Sequence, residues 1–251
     1  MRTKNYFNAT RIAMIAVFAA LAGVLYAFGK FPLPFAFPGF LELNFSDIPV
    51  LIGTFSLGAV SGCIIVVVKI LIKLVCVGTG SMFVGELADL LVGIAFVIPI
   101  GILYNRFRTK KGALLALGVG SISSVAVAIL SNWLILIPFY VKIMFDGSWA
   151  PLLGMMRGLF PSITQETFYN FYLWVSVLPF NIMRCLIASI VCYFAYKHIS
   201  RAINRLHEKM MPAEGQEQKV RKRDILIAVA CLTVVLLLLL FALLRYFLWT
   251  K

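Results

Sequence analysis

Asn181 and Arg184 lie three residues apart in LPFNIMR (178–184), inside a long apolar stretch. One helical turn separates them, so a helix presents both on one face. An amide carries donors and an acceptor, and a guanidinium carries a rigid fork of donors. Asn132, in SNW (131–133), adds a second amide within another apolar stretch. Pro138 and Pro179 lack an N–H, which is expected to free the carbonyls of Leu134 and Val175 as acceptors beside the two amides. Such a set suits a planar heteroaromatic ligand with alternating carbonyls and ring nitrogens, and abundant Phe, Tyr and Trp offer stacking surface. The alternative use is interhelical hydrogen bonding, which employs Asn readily in membranes.

Further polar groups sit near these. FPLPFAFPGFLELNFSDIP (31–49) is a Pro- and aromatic-rich segment ending in Ser46-Asp47. Lys69 and Lys73 are four apart in an apolar stretch. The deeper Lys69 calls for an acidic or carbonyl partner, whereas Lys73 has the option of snorkelling to a helix end. Glu86 and Asp89 follow GTGS (78–81) and are expected either to pair with Lys73 or to face water. Glu86 is also a candidate ligand contact. The glycine-rich segment lacks the G-x-x-x-x-G-K-[ST] pattern of an ATP site and reads as an interhelical loop. Ser61 admits an intramembrane serine protease, but both histidines, His198 and His207, fall outside the spans, so no Ser–His pair is in view.

The elements that must carry these residues are membrane helices. The 251-residue chain is 62% hydrophobic and 13% charged, about half the charge of an ordinary soluble domain. Long apolar runs without strand alternation indicate helices, which satisfy their own backbone in lipid. The formal net charge is +13, yet fifteen of the 23 Lys and Arg fall in residues 1–11, 105–111 and 197–223. That is a membrane-orientation pattern, and no nucleic-acid partner is expected. Cys63, Cys76, Cys185, Cys192 and Cys231 lie in apolar stretches without a CxxC pair, so neither a disulfide framework nor a metal site is indicated.

Six spans are expected in residues 1–197: 9–28, 47–58, 59–77, 83–104, 113–140 and 171–196. The first is long for a signal peptide's apolar region and reads as a retained helix. The second is short for a full crossing. Charge requires it nonetheless: with the N-terminus inside, residues 106–111 are cytoplasmic only if 47–77 crosses twice, turning near Gly58–Gly62. Residues 198–224 read as a charged cytoplasmic linker and 225–251 as an appended seventh transmembrane helix, an anchor without assigned chemistry. On the first span Ala9, Ala13, Ala16 and Ala20 form a small-residue stripe, suited either to close packing within the chain or to docking of another membrane helix.

LELNFSDIPVLIG (41–53), SGCIIVVVKILIKL (61–74), GTGSMFVGELADLLVG (78–93), SNWLILIPFY (131–140) and LPFNIMR together resemble the riboflavin-specific S components of energy-coupling-factor (ECF) vitamin transporters. The resemblance covers roughly residues 9–197. It implies an all-α membrane protein, a six-helix S-component core plus the appended helix, without enzymatic activity or a resident cofactor. It implies riboflavin as transported substrate, held by the first loop, with Leu41 and Phe45, and by Glu86, Asn132, Asn181 and Arg184. The family more usually carries lysine where Arg184 stands. It also implies that the alanine stripe docks on a transmembrane T component driven by two cytoplasmic ATPase subunits. The expected location is the cell membrane, multi-pass, with the N-terminus cytoplasmic.

Overall fold

A computed structural model describes residues 9–210 of the chain, with side chains described to residue 195. Helix α1 is Ala9–Phe28, α2 Asp47–Leu57, α3 Ala59–Val77, α4 Val84–Arg106 and α5 Lys110–Met144. A short α6, Ala150–Arg157, precedes α7, which begins as the π-helical segment Asn170–Val177 and continues as Leu178–Met210. Five of these helices are long and apolar enough to cross a membrane, and α2 is the shorter sixth. The six expected spans are therefore all present as helices. The last runs on to Met210, past the expected span end, and the rest of the expected linker and the seventh span lie outside the described residues.

The division of residues 47–77 into two helices falls at Gly58. Its φ of +86° suits glycine, and its N–H closes α2 on the Thr54 carbonyl at 2.8 Å. Gly62 lets α3 approach α2, since a Cβ there would lie 2.3 Å from Thr54 Oγ1. At the same end Arg11 of α1 donates to the Leu57 carbonyl and, at 3.1 Å, to Ser61 Oγ. Ser61 is fully buried and itself donates to Leu57 at 3.3 Å. This serine helps tie α1 to the α2–α3 turn.

Helix α2 packs against α1, α3, α4 and α7. Its eleven residues rise about 16 Å, roughly half of a bilayer's apolar thickness. A short central helix leaves the other half of the bundle interior open. One core lies between α1, α2, α3 and α4, around Ile15, Ala19, Val50, Ile65 and Val97. A second joins α2, α4, α5 and α7 around Leu51, Phe96, Leu117 and Cys185. The long connection 145–169 folds back through α6, and Leu152, Met156 and Phe168 pack on Ile137 and Tyr172.

Two features depart from simple spans. Residues 30–44 form an antiparallel ribbon, β1 (Lys30–Pro32) with β2 (Glu42–Asn44), in the register Phe31 opposite Leu43. Its strands are three residues long, too short for a period-two signal, and Pro32 sits in one of two edge strands, where proline is tolerated. The second departure is π-helix: Asn132–Leu136 and Tyr140–Met144 in α5, and Asn170–Val177 at the start of α7. The α5 segments flank Pro138 and the α7 segment ends just before Pro179. A proline disrupts the i→i−4 ladder, and the widened turn rebonds the backbone one residue further on, as from Ile137 N–H to the Asn132 carbonyl.

Candidate functional site

The space above α2 is a cavity of about 430 Å³, within the range of small-molecule sites. Phe40, Leu41, Glu42 and Asn44 of the ribbon segment cover it. Glu86, Asp89 and Val92 of α4, Asn132, Leu136 and Tyr140 of α5, and Tyr172, Phe180, Asn181 and Arg184 of α7 make its walls. Tyr26 of α1 and Lys73 of α3 close the remaining side. The widened turns of α5 and α7 contribute Asn132, Leu136, Tyr140 and Tyr172 to this wall, so the backbone irregularity borders the cavity.

Asn132 and Asn181 both line the cavity and are both buried, at 7% and 5% exposure. Each amide spends one N–H on its own helix: Asn132 Nδ2 donates to the Ala128 carbonyl at 2.8 Å and Asn181 Nδ2 to Val177 at 2.9 Å. These internal bonds fix the side-chain direction and leave the second N–H of each amide. Tyr172 donates its hydroxyl to Asn132 Oδ1, joining α7 to α5. Neither Leu134 nor Val175 lines the cavity. The expected carbonyl acceptors are therefore absent from its wall, because the helix widens around the prolines and Val175 faces outward at 47% exposure.

Arg184 makes an ion pair with Asp47 at 2.9 Å and approaches Asp89 at 3.8 Å. Asp47, the first residue of α2, also pairs with Lys69 at 2.8 Å. Lys69 reaches Ser46 Oγ as well, at 2.9 Å, and Ser46 Oγ donates to Asn44 Oδ1 at 2.6 Å. The acidic partner expected for Lys69 is thus Asp47. A buried charge without a partner is strongly unfavourable, and each ion here has at least one. The motif FSDIP closes the base of the site through this network.

Lys73 is paired with Glu86 and is 6% exposed, so it does not snorkel to the surface. Glu86 accepts in addition from Thr79 and Ser81, each at 3.0 Å. Thr79 Oγ1 also accepts from the Phe83 N–H at 3.0 Å, shaping the loop before α4. There Met82 and Phe83 adopt positive φ, an unusual conformation for side chains of this size.

Leu41 lines the cavity as expected, and Glu86 lines it while paired. Phe45 does not reach the lining; its ring packs on Phe31 at 5.6 Å, bracing the ribbon. Ala9, Ala13, Ala16 and Ala20 are all exposed on α1, on the face opposite Ile15, Ala19 and Ala22. Sequence reasoning missed Tyr26 and Tyr172. Tyr26 donates to Asp89, and Lys30, Lys69 and Lys73 stand 5.5–5.9 Å from its ring centre. Its signal was available, since it continues the inner stripe Ile15, Ala19, Ala22 at helical spacing. Tyr172 acts through a contact forty residues away, which no local pattern records.

Fold and site together define a multi-pass membrane protein with a polar cavity, capped by a ribbon, among its helices. The profile of the family "ECF transporter, substrate-specific component" matches residues 10–196. The chain belongs to this family of transporter components. It is 30% identical to the riboflavin transporter RibU of Staphylococcus aureus over 82% of this chain and 98% of that protein. It is 28% identical to RibU of Leuconostoc mesenteroides over 78% and 94%, and 20% identical to the riboflavin transporter FmnP of Bacillus subtilis over 72% and 87%. A solved S component of a bacterial ECF transporter superposes with a TM-score of 0.57 at 28% identity, covering 77% of this chain and 96% of that one.

Proposed function

We propose that the chain is a riboflavin-capturing subunit of an ECF uptake system. The supporting observation is the coincidence of two facts. The relatives it matches along nearly their full length are riboflavin transporters. Its cavity holds two buried amides, each with an uncommitted N–H, beside tyrosine and phenylalanine rings. An isoalloxazine ring offers two carbonyls and ring nitrogens along one edge and an apolar edge opposite. Asn132 and Asn181 suit the polar edge, Tyr172, Phe40 and Leu41 suit the faces, and Arg184 and Glu86 suit hydroxyl or carbonyl groups further along.

The partner chains are a transmembrane T component and two cytoplasmic ATPase subunits, which supply the energy this subunit lacks. Docking runs along Ala9, Ala13, Ala16 and Ala20, where small side chains permit close helix approach. The N-terminus is cytoplasmic: Arg11, the Gly58 turn and residues 106–111 share one end of the bundle, and basic residues favour that side. The ribbon and cavity then face outside.

The test is the visible absorption spectrum of protein purified from riboflavin-fed cells. A bound flavin band supports the reading. A colourless protein that binds a different vitamin instead would assign it another S-component specificity.

A further inference from the structure

We infer that Asp47 and Asp89 set the charge selectivity of the cavity by neutralising Arg184, so that it favours an uncharged flavin over one bearing a phosphate. This rests on the proposed function and extends it to the choice between ligands sharing one ring. Three cations and three carboxylates line the cavity. They are matched in space. Lys30 pairs with Glu42 at 2.7 Å, Lys73 pairs with Glu86, and Arg184 lies between Asp47 and Asp89 at 2.9 and 3.8 Å.

Arg184 is the group best built to grip a phosphate, because its planar fork matches two phosphate oxygens. Asp47 takes no part in the lining; it sits behind Arg184, 4% exposed, and is shared with Lys69. It is therefore a positioning residue that acts through Arg184. A phosphate brought into the cavity must compete with carboxylates already paired with each cation, and it meets their repulsion. A neutral ribityl chain meets neither penalty and still finds donors.

The experiment compares riboflavin with riboflavin 5′-phosphate by fluorescence titration, using the full chain in detergent. The readout is the ratio of the two dissociation constants. A purely structural role for either aspartate would weaken both ligands together and leave the ratio in place. We expect Asp47→Asn to shift the ratio toward the phosphorylated flavin by roughly fivefold or more, because Arg184 and Lys69 then share no carboxylate. Asp89→Asn shifts it in the same direction by less, since Asp89 is more distant and more exposed. If Asp47→Asn does not fold, Asp89→Asn carries the test. A ratio unchanged within about twofold in every variant that still binds riboflavin overturns the inference. Failure of the parent chain to bind riboflavin at all is a different result, which removes the proposed function itself.

Discussion

Arg184 and Asp47 pair at 2.9 Å behind the cavity wall, joining the helix that carries Asn181 to the start of the short central helix. Lys69 holds the other oxygen of Asp47 at 2.8 Å. Three helices thus meet on one carboxylate, and the same contact that closes the fold orients a cavity-lining guanidinium.

The first prediction concerns that contact. Removing one member of a buried ion pair strands the other, at a cost of about 3–5 kcal/mol. Arg184→Met leaves Asp47 with Lys69, so the loss belongs at or below the lower end of that range. Thermal unfolding in detergent should show a clear fall for Arg184→Met and a smaller one for Arg184→Lys, which keeps a cation. Equal, unshifted midpoints would mean that the pair contributes nothing to the fold.

A second prediction separates the two amides from their support. Asn132→Ala and Asn181→Ala each remove a buried polar contact, worth about 1–3 kcal/mol, or roughly 5- to 150-fold in riboflavin affinity. Tyr172→Phe deletes the hydroxyl that holds Asn132 Oδ1 and should weaken binding by a smaller factor, roughly 2- to 12-fold. Unaltered affinity in both alanine variants, with normal thermal stability, would leave these residues as interhelical glue.

Much of this was legible in the sequence, and the reasons differ from place to place. Five of the helices followed from apolar length, and the short second one, with a turn near Gly58–Gly62, from where the basic residues had to emerge. Asn132, Asn181 and Arg184 stood out because polar groups are rare within membrane spans. What they touch did not stand out. Asp47 lies at a helix start, where an acidic residue is unremarkable, and its two partners are distant in sequence. The ribbon was hidden by its length, and Phe45 was misplaced because β2 ends at Asn44, one residue before it, where the strand no longer sets its direction: Leu43 packs inward on Phe37 and Phe180 while Phe45 turns to Phe31. The prolines misled in detail, since a widened helix redistributes carbonyls instead of offering them to the cavity.

The third prediction tests docking. Ala13→Trp and Ala16→Trp place bulk on the exposed stripe of α1, well away from the cavity lining. Vitamin uptake in cells expressing the whole transporter should be abolished, while riboflavin affinity of the isolated subunit stays near the parental value. A parallel loss of binding would mean that the stripe supports the subunit's own packing.

A fourth prediction concerns orientation. A cysteine introduced at Lys110 should react with a thiol reagent only after the membrane is permeabilised, whereas one at Gly39, at the ribbon's tip, should react in intact cells. External labelling at Lys110 would reverse the assigned cavity face.

Whether this cavity takes riboflavin is read from calorimetric titration of the ligand-free subunit with riboflavin. Saturable one-to-one binding is expected, with flavin fluorescence quenched by the surrounding aromatic rings and affinity lost together with Asn132 and Asn181. No heat and no quenching at micromolar riboflavin, in a folded preparation that binds a different vitamin, would contradict it.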